Sequence, residues 1–197
     1  GDTAAIILLS ALVVIGASAY GTALLSDYYG SDYFYGSTGR VPEYRSGDYS
    51  YILNNNEATL TDYRGNRKGE LKIPSLIDGY KVTVIDSYLF TRCDFTSVIV
   101  PDSVEKIEYC AFNYCESLER VVLGNGLKIL DNSAFGYCCN LKRVTFGNSL
   151  KSIGSYAFHG CNSLERVDVP DILSWCSIDF YSYYSNPLWY GAKLYIN

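Results

Sequence analysis

An internal repeat constrains this chain more than any other feature. When four consecutive windows are aligned, Phe90, Phe112, Phe135 and Phe158 fall in one column, the last three spaced 23 residues apart and the first one residue closer. An aliphatic column precedes it at Ile85, Ile107, Leu130 and Ile153, and a cysteine column follows at Cys93, Cys115, Cys138 and Cys161. Three more apolar columns complete the unit: Phe95, Leu118, Leu141 and Leu164; Val98, Val121, Val144 and Val167; then Val100, Leu123, Phe146 and Val169. A unit this short cannot bury its apolar face alone, so copies must stack and share one continuous core. The chain is therefore expected to fold as a short solenoid.

Within each unit, the apolar residues from the Leu column onward alternate with polar ones, which predicts a short strand with one face buried. Pro101, Gly124, Gly147 and Pro170 close these strands, where a ladder donor is no longer needed or a turn is wanted. Stacked copies would align the strands in a parallel sheet at about 4.8 Å spacing, on the concave side. The segment from the Ile column through Ala-Phe to the Cys column has helical spacing but is too short for a stable isolated helix. It reads as one or two helical turns on the convex side, with Phe driven inward.

Three stretches carry a family likeness: Val-Pro-Asp-Ser-Val-Glu-Lys-Ile (100–107), Ala-Phe-Asn-Tyr-Cys-Glu-Ser-Leu (111–118) and Ala-Phe-His-Gly-Cys-Asn-Ser-Leu (157–164). Their pattern resembles the BspA-like family of bacterial leucine-rich repeats, over roughly residues 48–197. The resemblance implies an α/β repeat fold, a right-handed leucine-rich-repeat solenoid. Its expected parts are an N-terminal β-hairpin cap at 48–73, regular repeats over about 74–170 and an irregular C-terminal repeat at 171–197. Leu194-Tyr-Ile-Asn would be a further strand left on an edge. The resemblance also implies a secreted or surface-attached bacterial protein that adheres to host or neighbouring-cell proteins.

Residues 1–47 lie outside the likeness. Thr3 to Ser26 carries no charge, and Ala4 to Ile15 is almost wholly aliphatic. Residues 1–26 have three readings: a secretory segment with Ala17-Ser18-Ala19 as its cleavage site, a membrane anchor, or a buried helix able to join copies into a homo-oligomer. Residues 27–47 read as a Tyr/Gly-rich linker. Lys and Arg number 16 against 21 Asp and Glu, a net charge of −5, which argues against a nucleic-acid partner that would need a basic stripe.

No phosphate-cradling glycine loop, HExxH or Gly-x-Ser-x-Gly occurs, so no catalytic, cofactor or metal site is expected. The Cys column reads as small buried side chains, and Cys110, Cys139 and Cys176 as free thiols. His159, the sole histidine, is expected to face solvent, because residues i and i+2 do not bring it onto Cys161. Between the strand anchors, three columns point outward: Ser97, Arg120, Arg143 and Arg166; Thr96, Glu119, Lys142 and Glu165; Ile99, Val122, Thr145 and Asp168. Three arginines one strand apart repel unless paired. Glu119, Lys142 and Glu165 could neutralise them as a solvated ladder, or the stripe could meet acidic groups on a protein ligand. Tyr181, Tyr183, Tyr184, Trp189 and Tyr190 form an aromatic cluster that either covers the open end of the solenoid or binds carbohydrate. A third role for the whole chain is that of a structural spacer.

Overall fold

The structure, a computed structural model, describes residues 43–197. The readings of residues 1–26, and of 27–42 as part of a linker, lie outside the described residues. The described chain opens with β1 (Glu43–Ser46), β2 (Tyr49–Asn54) and β3 (Glu57–Tyr63), paired antiparallel in sequence order. The tight turn from β2 to β3 uses Asn55 and Asn56, both left-handed, as the right-handed twist of a hairpin demands. β1 thus falls in the stretch that reads from sequence as linker.

The coils follow. Their strands are β4 (Lys68–Lys72), β5 (Leu76–Ile77), β6 (Tyr80–Ile85), β7 (Asp94–Ile99), β8 (Lys106–Ile107), β9 (Arg120–Val122), β10 (Ile129–Leu130) and β11 (Arg143–Thr145). Next come β12 (Ser152–Ile153), β13 (Arg166–Val169), the five-residue helix α1 (Ile172–Cys176), β14 (Asp179–Phe180) and β15 (Lys193–Ile196). Two sheets result. A six-stranded sheet runs β4-β7-β9-β11-β13-β15, parallel throughout. A nine-stranded sheet continues from β3 through β6, β8, β10, β12 and β14 in parallel, with β5 paired to β6. The architecture is a parallel-sheet β-solenoid of about six turns.

The expected helical turns are replaced by strand and tight turn. Ile85, Ile107, Leu130 and Ile153 lie in the short strands of the nine-stranded sheet. The Ala-Phe segments that follow are tight turns, bonded from i to i−3 as in Ala111 N–H to Glu108 O (3.2 Å) and Gly136 N–H to Ser133 O (3.0 Å). Two features stop a helix there. Tyr88, Cys110, Ser133 and Tyr156 sit at φ between 54° and 61°, and Arg92, Tyr114 and Tyr137 at 57–58°, a region that a right-handed helix excludes. The Phe amides are also committed elsewhere. Phe90, Phe112 and Phe135 each donate to the alanine carbonyl of the following coil (Ala111, Ala134 and Ala157) at 2.8–2.9 Å. Among the described residues α1 is the one α-helix, capped by the Asp171 carboxylate on the Ser174 amide at 2.7 Å.

The core is a ladder of rings. Phe90, Phe112, Phe135 and Phe158 are fully buried and stack with centroids 5.0, 5.0 and 5.8 Å apart and planes within 16°. Each contact is worth about 0.5–1.5 kcal/mol beyond the area it buries. Tyr63 meets the edge of Phe90 at one end, while Trp175 closes the other against Phe146 and Phe180. The glycine column has a packing reason: a Cβ on Gly124 would lie 2.4 Å from the Pro101 backbone, and one on Gly147 would lie 2.5 Å from the Gly124 carbonyl. Coils are held too close there for a side chain.

Phe112 touches rings on both sides, so Phe112→Ala opens a cavity that neighbours locked in register cannot fill. Urea unfolding should show a loss of about 3–5 kcal/mol, whereas Phe112→Leu should cost less than half of that.

Candidate functional site

The parallel register turns columns of sequence into rows across the six-stranded sheet. One row runs Glu70, Ser97, Arg120, Arg143, Arg166 and Lys193. Two residues along each strand, a second row runs Lys72, Ile99, Val122, Thr145, Asp168 and Tyr195. Between them Val98, Val121, Val144 and Val167 are wholly buried, as the alternation of a half-buried strand requires. The structure therefore brings the arginine column together as expected. It also adds Lys193, which lies outside the four aligned windows, although the β15 segment Lys-Leu-Tyr-Ile fits beneath Arg-Val-Asp-Val of β13.

The cations are neutralised differently from the sequence expectation. Lys142 Nζ pairs with Glu119 Oε2 at 3.2 Å, both about half exposed, and among the described residues Glu165 joins no ion pair. Neither acid serves the arginines. Asp168 does, and it is not exposed: its side chain is fully buried beneath the two long stems. Its Oδ2 accepts from Arg143 Nε at 2.6 Å, and its Oδ1 accepts from Arg166 Nε at 2.9 Å and Nη2 at 2.7 Å. Long arginine chains can cover a short carboxylate in this way while keeping their own heads wet. Burial alone would raise the Asp168 carboxyl, but the hydrogen bonds from Arg166 and Arg143 prevail and hold its pKa below the usual value. Arg166 also lies over the Tyr195 ring, 3.8 Å from its centroid, a further attraction for a cation.

Arg120 and Lys193 have no ion-pair partner among the described residues. Glu70, at the near end of the row, is engaged by Lys72 at 2.8 Å and by the Ser97 hydroxyl at 3.3 Å. The nine-stranded sheet differs. Glu105 bridges Lys81 (3.1 Å) and Lys128 (2.6 Å), and Lys106 sits between Glu108 (3.0 Å) and Asp131 (3.8 Å). Those charges are balanced within the protein. A stripe of positive charge remains on the six-stranded side, beside the half-buried Ile99, Val122 and Thr145.

The other sequence candidates take structural positions. All seven cysteines are free thiols, and Cys110 is buried like the column residues, while Cys139 and Cys176 are exposed. Three of the column thiols bond across coils, with Cys115, Cys138 and Cys161 donating to the carbonyls of Phe90, Phe112 and Phe135 at 3.1–3.3 Å. Burial pushes the Cys93 thiol up to about 11 and the Cys161 thiol up to about 12, so neither is a nucleophile at neutral pH. His159 corrects its expectation. It is half-buried, with its ring set edge-on to Tyr137, Tyr156 and Tyr184 at 5.0–5.6 Å and Nδ1 2.9 Å from the Tyr190 hydroxyl. Among the described residues no group of three or more His, Cys, Asp or Glu is placed to hold a metal ion. Nor is any described helix long and apolar enough to cross a membrane.

Asp168→Asn should weaken both arginine contacts. Both arginines are more than a third exposed, so the expected loss lies toward the lower end of about 1–3 kcal/mol in urea unfolding at neutral pH. A depressed folded-state pKa contributes stability above the unfolded value of about 3.9 and loses it as pH falls through the folded value. Wild type and variant should therefore converge in acid, below about pH 4.

A family model described as BspA type Leucine rich repeat region matches residues 81–188 in six copies. Those six copies include turns more irregular than the four aligned on phenylalanine. Among solved structures, a leucine-rich repeat protein from Bacteroides capillosus is 32% identical at a TM-score of 0.58, covering 66% of this chain and 99% of that one. The Leucine Rich Repeat protein of T. pallidum is 30% identical at a TM-score of 0.62, over 71% of this chain. A leucine rich cell surface protein from Faecalibacterium prausnitzii is 25% identical at a TM-score of 0.51, over 68% of this chain. The chain spans 64% of the length of the T. pallidum protein and 46% of the F. prausnitzii protein. Comparison with curated protein sequences gave no match. On the family match and the shared solenoid, the chain belongs to the BspA-type leucine-rich-repeat family.

Proposed function

We propose that this chain is a non-catalytic protein-binding module of a secreted or surface-attached bacterial protein, and that it engages its ligand through the outer face of the six-stranded sheet. One observation carries the reading. A molecule with a net charge of −5 gathers Arg120, Arg143, Arg166 and Lys193 in one row, with a single buried carboxylate beneath them. Such local excess favours a partner with acidic groups and speeds its approach. The Asp168 grip fixes two guanidinium groups before any partner arrives, which lowers the ordering cost of binding. Ser97 and Thr145 add hydroxyls, and Glu119, Lys142 and Glu165 flank the stripe. Adhesion to host or neighbouring-cell proteins is the role that fits the family and the F. prausnitzii cell surface protein. If residues 1–26 persist, they would provide the membrane or homo-oligomer contact.

The test reverses the two cations that join no ion pair among the described residues. Arg120→Glu with Lys193→Glu leaves Asp168 and its arginines intact, so the melting temperature should hold. Wild-type protein immobilised on beads should retain proteins from extracellular-matrix and bacterial-surface extracts that are released by raised salt, and the double variant should retain about tenfold less. Equal retention by the two proteins would refute the assignment.

A further inference from the structure

We infer that the segment from Tyr181 to Tyr190 is a second, independent binding site, an aromatic platform for the flat faces of a neutral, β-1,4-linked glycan. Within this segment the rings divide into two layers. Tyr184 and Tyr190 face the solenoid: Tyr184 stacks on Tyr156 at 5.5 Å and meets the His159 ring at 5.0 Å. The Tyr190 hydroxyl accepts from the Gly160 amide at 3.1 Å and lies 2.9 Å from His159 Nδ1. These contacts fasten the segment to the preceding coil. Tyr183 and Trp189 form the outer layer, 61% and 56% exposed and in contact at 5.5 Å, while Tyr181, 69% exposed, lies at a cleft shared with Lys106 and Asp131.

The backbone under the outer rings is held as firmly. Ser182 and Ser185 form a capping box at the start of a short 3-10 turn (Tyr183–Ser185), with the Ser182 amide on the Ser185 hydroxyl at 2.9 Å. Asn186 caps a second 3-10 turn (Pro187–Tyr190) by accepting from the Leu188 amide at 2.9 Å, and Pro187 and Ser185 are buried. A cover for the end of the core has no need to hold two rings outward on so braced a frame. A weak ligand benefits from it, because a preordered site spends little of its binding energy on ordering.

The chemistry of the platform selects the ligand. No residue from 180 to 192 is charged, and the side chains that fasten the segment are tyrosine, histidine, serine and asparagine. Within the segment itself an acidic or basic partner finds no charged side chain, unlike on the arginine stripe. A partner with apolar C–H faces and hydroxyl edges matches rings that carry polar tips, and all-equatorial β-1,4-linked sugars present such faces. Tyr183 and Trp189 together offer about 200–300 Å² at their observed exposures, well below the roughly 800 Å² per partner of a stable protein interface.

Trp189 is also the reporter. The chain has two tryptophans, and Trp175 is buried in the core, so a ligand on the platform alters the emission of Trp189. Titration of the whole chain with cellohexaose and with chitohexaose should shift emission to the blue for at least one of them, unchanged by added salt. Trp189→Ala should weaken retention in gels cast with the matching soluble β-glucan or glycol chitin by about tenfold or more, and Trp189→Phe should retain most of it. Both variants should melt with the wild type. Arg120→Glu with Lys193→Glu should leave glycan binding untouched, which separates this site from the protein-binding face. Three results would each overturn the inference: no shift with either sugar, a shift that survives in Trp189→Ala, or a shift that follows protein concentration rather than sugar and so reports a second copy on the rings.

Discussion

The structure depends on the hydrogen bonds that each of Phe90, Phe112 and Phe135 makes to the coil that follows. Its amide donates forward to the alanine carbonyl of the next coil, and its own carbonyl receives the thiol of that coil's cysteine. Both backbone groups of a fully buried residue are thereby satisfied, and the side chain has no freedom left but to stack on the ring above. The cysteine column follows from this geometry. The site needs a side chain small enough for the core and able to reach a buried carbonyl, and a thiol meets both conditions without the desolvation cost of a hydroxyl.

Parallel stacking in register has an electrostatic consequence. It places like residues over like residues, so whatever occupies a column is repeated along the whole face. For valine and phenylalanine this builds a core. For arginine it concentrates charge. On the nine-stranded sheet both signs lie side by side, with Glu105 between Lys81 and Lys128 and Lys106 between Glu108 and Asp131, and these charges cancel locally. On the six-stranded sheet the column keeps one sign for four strands, and the fold answers with a single departure from the repeat. Asp168 stands where the preceding coils carry Ile99, Val122 and Thr145, and that one carboxylate serves two neighbours.

The columns make the core, the strand register and the arginine row readable from the chain alone, because each is a periodic property. What escapes is aperiodic or lies between coils. A two-residue strand at Ile107 or Ile153 is too short to show a period, so the second sheet reads as helical spacing. The left-handed positions are filled by Tyr88, Cys110, Ser133 and Tyr156 rather than by the glycine or asparagine that usually marks them, and nothing local announces the turn. Asp168 occupies an outward column, and its burial comes from the arginine stems above it. His159 reads as solvent-facing because its partners Tyr184 and Tyr190 come from the following irregular coil, 25 and 31 residues on.

The same reasoning explains why the two candidate sites sit where they do. A regular column can offer only repetition, and repetition of charge gives attraction and orientation without shape. Distinct shape requires a break in the repeat, and the breaks fall in the last coils: Asp168 in β13, α1 with its Trp175 plug, and the braced aromatic segment beyond. α1 and the braced segment could not have been placed earlier in the array without interrupting the Phe–Ala and Cys–Phe bonds that set coil spacing. In a β-solenoid of this kind the regular coils therefore act as a ruler and a charge carrier, and distinct shape is left to the coils where the ladder ends.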